Sequence, residues 1–259
     1  MKKCYLLLAL CSITLFGLAQ DESVKTLRPD KNNFSFEVDF MPFNLDKPIV
    51  LNSFRGRYFF SEQLALKIGF NFENQKNVYE TPANTPDDIM LFDENEEKFN
   101  VLGLQTGLEY HFLKSRRISP YVGFGIGFEN KTSCANYTDY TVDYYYNQDY
   151  EIVTTTTEIT NAWETSVDYY IDQWGNIHYI YGVNERAYTS YGFNLLLGAD
   201  IYIIKHLYLG FELGLGVHTY KYKEIEVKVN EVVENIYPES TENKYGLNVN
   251  NAIRLGVWF

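Results

Sequence analysis

Eight stretches of the chain alternate apolar or aromatic residues with glycine or polar ones. The first sets Phe34, Phe36, Val38 and Phe40 against Ser35, Glu37 and Asp39. The second sets Val50, Phe54, Tyr58 and Phe60 against Ser53, Arg55 and Arg57. The third sets Leu64, Leu66, Ile68, Phe70 and Phe72 against Lys67, Gly69, Asn71 and Glu73. The fourth holds Leu102, Leu104, Leu108, Tyr110 and Phe112, against Gly103, Gln105, Gly107, Glu109 and His111. The fifth holds Val122, Phe124, Ile126 and Phe128, against Tyr121, Gly123, Gly125 and Gly127. The sixth runs from Tyr191 to Ile201 with Gly192, Asn194, Gly198 and Asp200 between, and the seventh from Leu207 to Val217 with Tyr208, Gly210, Glu212, Gly214 and Gly216 between. The eighth, led in by Tyr245, Leu247 and Val249, turns Ile253, Leu255, Val257 and Phe259 away from Arg254, Gly256 and Trp258. Side chains alternate faces along a strand, so each stretch reads as a β-strand with one greasy and one polar face.

The polar face carries charges of both signs. Arg55, Arg57, Lys67 and Arg254 share it with Glu37, Asp39, Glu109, Asp200 and Glu212. If the greasy faces pointed outward, these residues would form an enclosed salt-bridge network, for which Gly123, Gly125, Gly127, Gly210, Gly214 and Gly216 would leave space. In hydrocarbon every backbone amide needs a partner inside the protein, so such a sheet must close on itself. Several stretches reach about ten residues, the length of a tilted membrane-crossing strand. Connections alternate between short (Ser61–Gln63, Lys114–Ser119, Ile203–His206) and long (Pro42–Pro48, Asn74–Glu97, Asn130–Tyr188, Lys221–Asn243). The expected fold is therefore all-β: an eight-stranded antiparallel up-and-down transmembrane β-barrel with short periplasmic turns and long extracellular loops.

Composition and the N-terminus sharpen this picture. The 259 residues carry a net charge of -12, which argues against nucleic acid as a partner. With 23 Tyr and 18 Phe but a mean hydropathy of -0.28, aromatic content is high while no interior run is apolar enough for a membrane helix. Lys2 and Lys3 precede an apolar run from Tyr5 to Phe16, then Gly17-Leu18-Ala19, the layout of a secretory signal peptide cleaved after Ala19. This divides the chain into a signal peptide (1–19), a periplasmic N-terminal segment (20–32) and the barrel (33–259). Cleavage removes Cys4 and Cys11 and leaves Cys134 alone, so no internal disulfide is expected.

The loops hold the candidate chemistry. Residues Asn74 to Glu97 are rich in Asp and Glu but lack EF-hand spacing, and read as a solvated acidic loop with turns at Thr81-Pro82 and Thr85-Pro86. Residues 130–188 are too long for a plain loop. They are dense in tyrosine, and Tyr169 to Tyr181 reads as a hairpin turning near Trp174-Gly175-Asn176 and extending the barrel wall. Tyr144, Tyr145, Tyr146, Tyr169, Tyr170, Trp174, Tyr179 and Tyr181 are the candidate partner-binding residues, because exposed aromatics give contact area at low entropy cost. Glu109 with His111, and Glu212 with His218, share faces, and Ser190 and His218 could meet at a rim. No catalytic residue, metal or cofactor is assigned, because mutual salt bridging accounts for these groups.

The signal peptide, the eight alternating stretches, Tyr121-Val-Gly-Phe-Gly-Ile-Gly-Phe128 and Arg254-Leu-Gly-Val-Trp-Phe259 together give the chain a family likeness. It resembles the small outer-membrane β-barrel family of Gram-negative bacteria, which includes OmpA/OmpX-type barrels and PorT-like outer membrane protein beta-barrel domain proteins. The resemblance implies location in the bacterial cell outer membrane, contact with its lipid, and insertion by the barrel-insertion machinery, with Trp258 and Phe259 as the insertion signal. The expected role is that of a structural or interaction protein with a plugged lumen, its extracellular loops binding a partner or ligand within a larger outer-membrane assembly. A narrow pore or transport element, or a lipid-modifying barrel enzyme, is the alternative.

Overall fold

A computed structural model of the chain describes residues 27–40, 49–83, 90–112, 117–144, 150–171, 177–249 and 253–259. Among these residues the structure is all-β, with no helix. The strands are β1 (Phe34–Phe40), β2 (Ile49–Phe59), β3 (Leu64–Pro82), β4 (Phe92–His111), β5 (Ile118–Tyr144), β6 (Tyr150–Thr160) and β7 (Trp163–Ile171). They continue with β8 (Ile177–Asn184), β9 (Tyr188–Ile204), β10 (Leu207–Tyr222), β11 (Ile225–Val229), β12 (Val232–Tyr237), β13 (Ser240–Val249) and β14 (Ile253–Trp258).

Eight strands form an antiparallel ring. β1 pairs β2, β2 pairs β3, β3 pairs β4 and β4 pairs β5. β5 then pairs β9, β9 pairs β10, β10 pairs β14, and β14 returns to β1 with Ser35 opposite Trp258 and Asp39 opposite Arg254. β13 pairs the far half of β10, so it continues the ring position of β14 beyond residues 250–252. The short connections, such as the Lys205–His206 turn in which His206 takes φ 72, mark what we term the proximal rim. The other rim is distal.

The alternating stretches map onto the ring strands and β13, and among the side chains described the greasy face points outward. Phe124 is 45% exposed, Leu195 54% and Leu215 53%, whereas Arg57 is 2% exposed and Glu109 0%. The usual partition of a globular protein is inverted, with apolar side chains on the outer surface and ions inside.

The distal half departs from the loop expectations. The acidic stretch is a hairpin rather than a loop: β3 and β4 stay paired from Glu73↔Val101 out to Pro82↔Phe92, so Thr81 and Pro82 are strand residues and not a turn. Polar residues occupy both faces here, which hides the strand from a search for greasy alternation. Residues 84–89, with the Thr85-Pro86 turn, lie outside the described residues. Between Lys221 and Asn243 the chain forms the β11–β12 hairpin, turning at Asn230 and Glu231 with φ 49 and 65. Positive φ at both central residues matches the twist of a two-residue hairpin turn.

β5 is the branching strand. Its proximal half pairs β9 as far as Lys131, and its distal half, from Cys134 to Tyr144, pairs β6. β6 pairs β11 in turn, so β5, β6, β11 and β12 extend the wall. The Tyr169–Tyr181 region is a hairpin, with Tyr169 opposite Tyr179, but β7 and β8 form a separate two-stranded sheet. The expectation that this hairpin extends the wall is therefore corrected: the edge of distal β5 is already taken by β6.

Two apolar clusters lie towards the two ends. Distally, Phe99, Ala135, Ile159, Ala162, Trp163 and Ile225 pack together. Trp163 lies against Phe99 at 5.4 Å, and its indole N–H donates to the Lys98 carbonyl at 3.0 Å. Proximally, Tyr202, Tyr208 and Trp258 pack with Leu27, whose carbonyl accepts from the Trp258 indole at 3.2 Å.

Candidate functional site

The ring interior is built by the polar face of the alternation. β2 supplies Arg55 and Arg57, β3 Lys67, β14 Arg254, β1 Glu37, β4 Glu109, β9 Asp200 and β10 Glu212. Four cations meet four anions, so the cluster is neutral as a whole. Arg57 is the hub: Nη2 lies 2.9 Å from Glu37, Nε 3.0 Å from Glu109 and Nη1 2.5 Å from Asp200. Arg254 Nη1 lies 3.3 Å from Glu37 and 3.4 Å from Glu212. Lys67 lies 2.9 Å from Glu212 and 3.5 Å from Glu109, and Arg55 3.6 Å from Glu37.

Asp39 is a correction. It stands opposite Arg254, yet it is half-buried and makes no ion pair with another described residue. On the β2 side Arg55 stands opposite Glu37, and the pairing then jumps from Val38↔Phe54 to Asp39↔Val50, so no cation of the cluster lies opposite Asp39 on β2.

Two tyrosines not assigned from the sequence complete the interior. The Tyr121 hydroxyl accepts from Arg254 Nη2 at 2.6 Å and donates to Glu212 at 2.9 Å. The Tyr208 hydroxyl donates to Glu37 at 2.6 Å. Each ring lies on a glycine of the neighbouring strand: a Cβ on Gly198 would sit 2.3 Å from Tyr121, and one on Gly256 2.2 Å from Tyr208. The alternation already places both tyrosines on the charged face; only their role as bridges was missing.

The candidate catalytic groups are placed as follows among the described residues. His111 Nδ1 lies 2.8 Å from Ser119 Oγ, and Nε2 lies 3.7 Å from Glu109, but all three residues are sealed from solvent. His218 lies over Gly192 and 3.2 Å from Asn194, while Ser190 faces Tyr220 across the β9–β10 pair.

Above the ion cluster, towards the distal rim, lies an open chamber of about 320 Å³. Asn71, Phe99, Glu129, Lys131, Glu185 and Tyr188 are prominent in its lining. Glu129 accepts from the Asn71 amide at 2.7 Å and from the Tyr188 hydroxyl. Burial, then that hydrogen bond and the Glu129 charge, push the Tyr188 phenol well above its usual value, so it remains a donor. Lys131 pairs with Glu185, and its ammonium lies 4.7 Å from the Phe99 ring centre and 6.0 Å from that of Tyr188. The sequence signal for this chamber is that Glu129 and Lys131 continue the inward, odd-numbered face of β5 past Gly127.

The remaining assigned residues fall as follows. Trp258 is buried and lies 4.4 Å from the His206 ring, while Phe259 is exposed and pairs through its backbone with Phe34. Tyr144 ends β5, Tyr169 and Tyr170 lie on β7, and Tyr179 and Tyr181 on β8. Tyr145, Tyr146, Trp174 and the signal-peptide residues lie outside the described residues. Cys134 is exposed and free. The chain matches no known protein-family model, and no curated protein matches it.

Proposed function

We propose that this chain is an eight-stranded transmembrane β-barrel of a bacterial outer membrane, with a plugged lumen, acting as a structural or interaction protein through its distal strands and loops. The observation that carries the reading is the inversion of polarity around the ring. Phe70, Leu104, Phe124, Phe193, Leu195, Leu213 and Leu215 stand on the outer surface while eight charged side chains lie inside. Water gives no return for that arrangement, whereas hydrocarbon around the ring favours it. The closure of β14 on β1 supports it, because a ring has no unpaired edge. So do aromatic groups near both limits of the apolar belt: Phe34 with Tyr58 at 4.8 Å proximally, and Phe128 with Tyr191 at 5.9 Å distally.

The plugged lumen rests on the ion cluster, which spans the interior from β1 to β10. The interaction role rests on β7–β8, a sheet outside the ring's hydrogen-bonded wall that contributes nothing to closure. Purified protein in a planar bilayer is expected to show no steady large conductance, and such a conductance would replace this reading with the pore. Replacing residues 164–183 by a glycine-serine linker is expected to remove partners that co-purify from membranes. An unchanged partner set would remove the binding role.

A further inference from the structure

The eight charges of the ring interior neutralise one another, but the chamber above them does not balance. Glu73, Glu129 and Glu185 line it against a single ammonium, Lys131. Lys131 is committed to Glu185. Glu129 is half-buried and held by two neutral donors, Asn71 and Tyr188, and it makes no ion pair with another described residue. A carboxylate oriented in this way has lone pairs to spare for a cation, and desolvation strengthens what it gains from one.

The same chamber contains an example of the recognition it offers. The Lys131 ammonium rests between a carboxylate and two aromatic faces, those of Phe99 and Tyr188, an arrangement that suits an alkyl ammonium. Phe99 and Val101 give the wall an apolar part on which a short methylene chain can lie.

We infer that the distal chamber binds a small primary-amine cation from solution, with Glu129 as the carboxylate that receives the ammonium. A volume of about 320 Å³ takes a short diamine and excludes a folded partner. Lys131 is the internal competitor: its tethered ammonium pairs with Glu185 and not with Glu129. The inference goes beyond the proposed role and does not need the lipid setting, because the chamber is lined by side chains of the protein itself.

The test is isothermal titration of the folded, detergent-solubilised full chain with cadaverine, and with 1,5-pentanediol as its uncharged analogue. Saturable one-site binding of cadaverine, and none of the diol, is expected. Glu129→Gln removes the charge while its amide oxygen still accepts from Asn71 and its NH2 can donate to the Tyr188 hydroxyl oxygen. It is expected to weaken cadaverine binding by about tenfold or more, the usual worth of a charge-assisted hydrogen bond. Lys131→Met frees Glu185 and both ring faces and is expected to tighten binding, which keeps the test open if Glu129→Gln does not fold. No cadaverine binding at millimolar concentration, equal binding of the diol, or an affinity that neither variant changes would overturn the inference.

Discussion

Arg57 shows most directly what a single side chain does here. Its guanidinium touches Glu37, Glu109 and Asp200 from three strands other than its own, with no exposure to solvent. Taking ions out of water is costly, and the cost is offset only while every partner stays in place. Arg57→Met strands Asp200 and takes one partner each from Glu37 and Glu109, and is expected to destabilise the fold by about 3–5 kcal/mol. Adding Asp200→Asn removes one stranded charge and should recover part of that loss, because the two sites are coupled. Urea unfolding of the three proteins in the same detergent measures both effects; a loss that simply adds in the double variant would contradict the hub. The charges were legible because Arg57 and Glu109 interrupt greasy runs at the inward parity. The bridging tyrosines were not, because an inward Tyr121 or Tyr208 looks the same in sequence as an aromatic lining a wall. Asp39 failed for the opposite reason: its parity is right, but parity does not show which residue of β2 stands opposite, and there the pairing jumps to Val50.

At the scale of elements, the ring strands and the distal extension follow different rules. Ring strands are specified by alternation, since a one-residue slip would send every greasy side chain inward. The distal strands β6, β12 and the outer part of β3–β4 have polar residues on both faces, β11 is only five residues long, and their order comes from the small apolar cluster around Trp163. Trp163→Ala is expected to cost about 3–5 kcal/mol of local stability. Faster amide exchange in β6 and β11, with that of β9 and β10 unchanged, would be its signature. Equal loosening of all strands would show that the extension is not a separate unit.

Acidity acts on the same element. Partial burial, then the neighbouring Asp93 charge, raises Asp139 on distal β5 above the usual aspartate value. The folded form therefore holds this proton more tightly than the unfolded chain does. The stability it contributes is full below the unfolded value and is lost as pH rises through the folded value. Exchange at the Tyr140 amide, which donates to Asp93 at 2.8 Å, should accelerate beyond the intrinsic rate as pH climbs through that range. Asp139→Asn should flatten the dependence; an unaltered profile would show that this carboxyl has no part in it. Sequence reading assigned no pairing to these elements, although Thr154 to Thr157 of β6 reads as a β-favouring run. A strand wet on both sides carries no period-two hydrophobic signal, and pairing partners as distant as Thr157 and Val229 leave no local mark.

For the whole molecule, one arrangement joins the parts: a closed ring with a greasy outside, a neutral ionic interior and an apolar cluster at each end. The alternation of the sequence gives the ring, and glycines such as Gly198 and Gly256 let aromatic rings fold flat across its inner wall. In the proposed setting the outer surface is covered by acyl chains and the distal extension is left for binding. The most direct test is collision accessibility of nitroxide labels along β9 of the protein reconstituted in phospholipid vesicles. Labels at Phe193, Leu195 and Leu197 are expected to meet dissolved oxygen readily and a water-soluble nickel chelate rarely, while labels at Asn194 and Leu196 show low oxygen contact. High nickel accessibility at Phe193, Leu195 and Leu197, with no period of two along the strand, would contradict a lipid-facing ring.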